Sequence, residues 1–183
     1  MQVEDSEILK KFAQESTRDE AFRLLLSKYQ QKIYWHIRRM IIDHDDTDDL
    51  VQDVFLKVWK SLSTFRSDSQ LYTWLYRIAT NESITFLKRK KIRNSVSIDD
   101  DAGKNMVKTL AESPYFDGDN AQMKLQKALL TLPEKQRLVF NMKYFDDLKY
   151  EDISEILGTS VGALKASFHI AVKKIEQLLL NTD

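Results

Sequence analysis

Between Phe65 and Asn81 the chain reads Phe-Arg-Ser-Asp-Ser-Gln-Leu-Tyr-Thr-Trp-Leu-Tyr-Arg-Ile-Ala-Thr-Asn, a polar loop entering a helical pattern that carries more rings than a core needs. At helical spacing Leu71, Leu75, Ile78 and Phe86 share one side, while Trp74, Arg77, Asn81, Thr85 and Lys88 share another. The second stripe offers a π-face, an amide that can both donate and accept, and cations. Unstacked bases and their phosphates require those groups. The competing reading is that Trp74 and Tyr76 cap a core, since rings are ordinary core fillers. Lys88, Arg89, Lys90, Lys91 and Arg93 form a basic end to the same segment.

A second constellation lies near the C-terminal end. Residues 150–165 have the layout of a helix-turn-helix: a short amphipathic helix, Gly158 where a left-handed residue must end it, Ser160 as a cap, and a second helix. Val161, Leu164, Phe168, Val172, Ile175 and Leu179 recur at three- and four-residue steps and form the expected buried face. Gly162, Ala163, Lys165, Ala166, Ser167, His169, Lys173 and Lys174 remain outside. Small residues at the front allow close approach to base edges in a major groove, and the later cations can reach phosphates. Helical hairpins with a glycine turn also occur in proteins that never touch DNA.

The elements that must position these groups are helical throughout. With 43% hydrophobic residues, four glycines and two prolines in 183 residues, the chain can build cores and has few helix breakers. The expected architecture is all-α, two small helical domains joined by a flexible linker, with the helix-turn-helix in the second. The first domain spans residues 5–92, with helices over 7–14, 19–40 and 48–62. The longest of these turns Phe22, Leu25, Leu26, Tyr29, Ile33 and Ile37 inward, and the helix at 48–62 turns Leu50, Val54, Val58 and Leu62 inward. The outer side of the latter offers Asp49, Gln52, Asp53, Leu56 and Lys57. Residues 93–120 have no apolar period and read as an acidic linker, able to span about 30 Å as a coil. The second domain, residues 121–180, is expected to hold four helices, with Pro133 in a first helical turn.

In order and spacing these segments resemble the extracytoplasmic-function group of bacterial RNA polymerase sigma factors. Residues 48–59 (Asp-Asp-Leu-Val-Gln-Asp-Val-Phe-Leu-Lys-Val-Trp) resemble the family's polymerase-binding helix, and Phe65 to Asn81 its minus-ten loop and helix. Leu132 to Phe140, Tyr144-Phe145 and Tyr150 to Lys174 resemble the domain that reads the minus-thirty-five element. The resemblance implies that Asp49, Gln52, Asp53, Phe55 and Leu56 dock on core polymerase. It implies minus-ten reading and melting by Phe65, Arg66, Ser67, Asp68, Ser69, Tyr72, Trp74, Tyr76, Arg77, Asn81, Lys88 and Arg89. Ser160, Val161, Gly162, Ala163, Lys165, Ala166, His169 and Lys173 would meet the minus-thirty-five duplex. Many relatives carry a run like Gly-Thr-Val-Lys-Ser-Arg where this chain has Gly162 to Ser167, and a basic residue at the position of Ile170, so fewer cations face the groove here. The implied partners are core RNA polymerase and promoter DNA, as duplex and as single strand. Relatives are often held by an anti-sigma factor, and Leu56 and Ile170 could serve one.

Net charge is zero overall, about +2 over residues 1–91, −3 over 92–120 and +1 over 121–183. A stand-alone helix-turn-helix regulator, the main alternative, would need duplex affinity of its own, and affinity scales with phosphates neutralised. An enzyme such as a metal-dependent nuclease could use Asp45, Asp46, Asp48, Asp49 and Asp53, but adjacent carboxylates on a helix diverge and no phosphate cradle follows. His36, His44 and His169 have no ligand spacing, so neither metal nor cofactor is expected. The absence of cysteine excludes disulfides, and no stretch is apolar for long enough to span a bilayer. The cytoplasm is the expected location.

Overall fold

The computed structural model describes residues 3–94 and 120–180. Within them the chain forms eight α-helices and no strand. Most of the linker expected over 93–120 lies outside the described residues.

The first four helices build one bundle. α1 (Asp5–Phe12) carries Asp5 and Glu7 in its first turn and Lys10 and Lys11 in its last, matching the helix dipole at both ends. It packs on α2 (Arg18–Ile41) through Ile8 and Phe12, and the Asp5 carboxylate accepts from the Tyr29 hydroxyl at 2.7 Å. The turn out of α2 places Ile42 at φ 69°, rare for a β-branched residue, with its side chain buried. Asp43 then caps α3 (His44–Ser61) by accepting from the Asp46 amide at 3.0 Å. The helix therefore starts four residues before the expected Asp48, because the cap lies ahead of the aspartate run. Leu50, Val54, Val58 and Leu62 are buried as expected, and Thr47, Val51 and Phe55 join them. Trp59 closes this layer edge-on to Phe12 and Phe22, with centroids 5.4 and 4.9 Å away. α4 (Leu71–Asn94) lies against α2 and α3.

The remaining four helices are α5 (Asn120–Leu130), α6 (Glu134–Tyr144), α7 (Tyr150–Leu157) and α8 (Val161–Leu180). Pro133 stands at the N-cap of α6, one residue before the expected first turn. Gly158 ends α7 at φ 62°, ψ 32°, and its amide donates to Ser154 O at 2.9 Å. Ser160 Oγ accepts from the Ala163 amide at 3.3 Å, so the predicted break and cap are both present. α8 buries Leu164, Ala171 and Ile175 fully, whereas Val161, Phe168, Val172 and Leu179 are half-buried. Ala171 escaped the sequence reading because a small residue adds little to an apolar pattern.

The two halves pack on each other, chiefly α4 on α7 and α2 on α6. Leu148, Ile153, Ile156 and Leu164 belong to one buried cluster with Leu25, Val54 and Leu75 of the first bundle. A smaller cluster of Ala128, Leu129, Leu132, Phe140, Ala171 and Ile175 is private to the second half.

Candidate nucleic-acid interface

α3 and α4 present the first two groups of candidate residues. On α3, Asp49, Gln52, Asp53 and Leu56 are all exposed, Leu56 to 57%. Phe55 is not with them: it is buried, 100° of helical turn away from Leu56 and facing the bundle. The exposed face of α3 is therefore two carboxylates and an amide around one leucine, without Phe55. Two ion pairs join it to α4, Lys57 to Glu82 and Lys90 to Asp46, the latter at 2.5 Å.

The loop before α4 holds Arg66, Ser67 and Asp68 exposed, with Ser67 in the left-handed region at φ 57°. Phe65 and Trp74 are half-buried, their rings tilted by 51° with centroids 5.2 Å apart, so loop and helix share one aromatic platform. Asn81 and the cations Lys88 and Arg89 are exposed further along. The Asn81 carbonyl accepts from Thr85 Oγ1 at 2.8 Å. Tyr76 departs from the expected surface set: it is 3% exposed, 4.9 Å from the His36 ring, and burial raises its phenol pKa well above the usual value. It lies two residues from Trp74, which on a helix is nearly the opposite face. Tyr76 is a core ring in this arrangement.

Tyr72 and Arg77 reach the other half of the molecule. The Tyr72 hydroxyl donates to Asp152 at 2.5 Å, and burial followed by that bond raises its pKa. Arg77 lies 3.5 Å from Glu155. Thr73 and Asp152 stand 3.3 Å apart. Deeper in the seam, His36 Nδ1 is 2.7 Å from Asp146, its Nε2 is 2.9 Å from Thr80 Oγ1, and Arg39 donates to the same Asp146 carboxylate at 2.5 Å. No local pattern marks this network, because its partners across the two halves stand 78 to 110 positions apart.

On α8, Gly162, Ala163, Lys165, Ala166, His169 and Lys173 are exposed along one side, with Ser160 exposed at its start and Val161 half-buried. A methyl group placed on Gly162 would meet nothing within 4 Å, so the front of this helix is open to a groove-sized partner. Lys165 stands 5.7 Å over the Tyr150 ring, a contact that holds its ammonium at the helix edge. Ile170 is 44% exposed on the same helix. Among the described residues no three His, Asp or Glu side chains converge as a metal site, and no helix is long and apolar enough to cross a membrane.

Comparison with known proteins bears on the whole chain. Residues 25–92 match the family model for sigma-70 region 2, and residues 122–175 that for sigma-70 region 4. The RNA polymerase sigma-H factor of Pseudomonas aeruginosa is 29% identical over 97% of this chain and 95% of its own length. The ECF RNA polymerase sigma-E factor of Haemophilus influenzae is 32% identical over 85% of this chain and 86% of its own, and the ECF factor SigW of Bacillus subtilis 31% over 82% and 84%. The fold is shared with the sigma factor RpoE solved with the anti-sigma factor NepR from Bartonella quintana (TM-score 0.72, 24% identity, 88% of this chain and 98% of that one). It is also shared with CnrH solved with the cytosolic domain of CnrY (TM-score 0.69, 22% identity, 98% and 99%). With two region matches in the family order and a relative above 30% identity along most of both chains, the protein belongs to the extracytoplasmic-function sigma factors, which direct RNA polymerase to promoters.

Proposed function

We propose a division of labour for this sigma factor among its three exposed faces. Asp49, Gln52, Asp53 and Leu56 on α3 dock on core polymerase, a carboxylate and amide rim around an apolar anchor, which suits a basic partner helix. Phe65, Trp74, Asn81, Lys88 and Arg89, with the loop at 66–69 and the Tyr72 and Arg77 side chains, read the minus-ten element and hold its strand open. The front of α8, from Ser160 to Lys173, reads the minus-thirty-five duplex. On this reading residues 5–92 form the docking and melting domain and 121–180 the duplex-reading domain, with the acidic segment 93–120 as the tether. The activity is binding without covalent chemistry, carried out in the cytoplasm, and an anti-sigma factor that covers exposed apolar positions such as Leu56 and Ile170 is a further partner.

The observation that carries the reading is the Phe65–Trp74 platform beside an open amide and a cationic helix end. Unstacking costs a few kcal/mol per base, and each base stacked on a ring returns about 1–3 kcal/mol. The opened strand is then close to balance, and the loss of one ring should tip it. Trp74→Ala is expected to lower permanganate reactivity of the promoter bubble severalfold while duplex retention by the polymerase complex stays unchanged. Unaltered reactivity would remove Trp74 from the melting surface. A stand-alone regulator is not favoured, since a chain with zero net charge neutralises few phosphates by itself.

A further inference from the structure

A cleft of about 100 Å³ is walled by Trp35 and Arg39 of α2 on one side and by Leu129, Leu130, Arg137 and Asn141 of α5 and α6 on the other. Its polar groups are short of partners. The Arg137 side chain is 8% exposed, yet among the described residues it has neither an ion pair nor a hydrogen bond. Burial lowers its pKa, and the exposed Glu134 on the same helix opposes this only through space. Asn141 is 3% exposed with its Oδ1 unpaired. Arg39 Nε is also buried and unpaired, while another nitrogen of the same guanidinium is held by Asp146 at 2.5 Å.

A guanidinium keeps its charge at physiological pH, and a buried charge without a counter-charge is costly. Water can enter the cleft and meet single donors, but it brings no negative charge. The lining therefore lacks one anion, with planar oxygens for the Arg137 fork and the Arg39 Nε–H, and one O–H to donate to Asn141 Oδ1. No acidic side chain lines the cleft among the described residues, so an ammonium group would find no partner there. Leu129, Leu130 and the Trp35 ring offer a short apolar wall. A space of about 100 Å³ holds roughly three waters at ~30 Å³ each, or one organic acid of about six heavy atoms. We propose that this cleft binds a small hydroxycarboxylate, its carboxylate on Arg137 and Arg39 Nε and its hydroxyl on Asn141. The site is independent of the promoter-reading assignments. Because its walls come from both halves, occupancy couples the concentration of the acid to the apposition of α2 with α5 and α6.

The test titrates the full, isotope-labelled chain with lactate at fixed ionic strength and follows the Trp35 indole signal by NMR, assigned with Trp35→Phe. Propionate, which lacks the hydroxyl, and lactamide, which lacks the charge, are the matched controls. Lactate should shift the signal saturably with a Kd of about 1 mM or tighter, and both controls should bind about tenfold more weakly or less. Arg137→Met, which replaces the buried charge by an apolar stem, should weaken lactate binding about tenfold or more while the urea midpoint is unchanged or raised. No saturable shift by about 20 mM lactate overturns the site. A response to lactamide equal to that to lactate overturns the anion pairing, and inorganic phosphate that binds as tightly as lactate means an adventitious ion only. Lactate binding retained by Arg137→Met, with a lowered midpoint, makes Arg137 a strut of the fold and overturns the assignment. Should that variant lose helix by circular dichroism, the wild-type titrations decide alone.

Discussion

α3 and α4 are neighbours in one bundle and are treated in opposite ways by the rest of the molecule. The outer face of α3 is open, with Asp49, Gln52, Asp53 and Leu56 in solvent, while the first turns of α4 lie against α7 through Tyr72, Thr73 and Arg77. The difference is one of partner chemistry. A face of carboxylates, an amide and a leucine has little to offer an acidic helix such as α7, whereas a face of two hydroxyls and a guanidinium does. The proposed polymerase-docking face is therefore open in this structure, whereas part of the proposed minus-ten face lies against carboxylates of the second half.

The contrast can be broken from the covered side. Ile153 is fully buried on α7 in the cluster shared by both halves, so Ile153→Ala should cost about 2–5 kcal/mol in urea denaturation and also expand the chain in scattering. If stability falls while the chain stays compact, the seam is held by polar contacts alone. From the open side, Leu56→Asp should weaken binding to core polymerase about tenfold or more, near 1.4 kcal/mol, with the unfolding midpoint moved by under about 0.5 kcal/mol. A matching loss of stability would show that Leu56 belongs to the fold and not to the docking face. The smallest effect is expected at the end of the covering helix. Gly158→Ala meets no atom within 4 Å, so its cost of about 1 kcal/mol is that of the left-handed backbone alone. A loss well beyond that would mean that the α7–α8 turn is strained by the seam.

Most of the secondary structure was readable because it rests on short-range rules. The apolar steps of α2 and α3, the left-handed Gly158 and the Ser160 cap each depend on residues within a turn or two, and all are present. The errors were of two kinds. The start of α3 was misplaced because the aspartate run resembled several caps at once, and only Asp43 has the geometry. Phe55 enters the expected docking set only through the family resemblance and Tyr76 through the aromatic run of its segment, and the structure buries both rings. The placement of Asp146, Asp152 and Glu155 against α2 and α4 was not readable at all. No local periodicity records a contact between side chains that far apart in the sequence.

The cross-links from Lys57 to Glu82 and from Lys90 to Asp46 join α3 to α4 at two levels of the bundle. The buried layer of Val54, Val58 and Leu75 between the helices makes the pair a single rigid piece, to which the solvent-facing ion pairs add little. Such a piece behaves as a set square. On the proposed docking of α3, the bundle sets the angle and height at which α4 stands above the polymerase. On that reading, lengthening α3 by a residue is expected to shift where transcripts begin, as mapping of their 5′ ends would show.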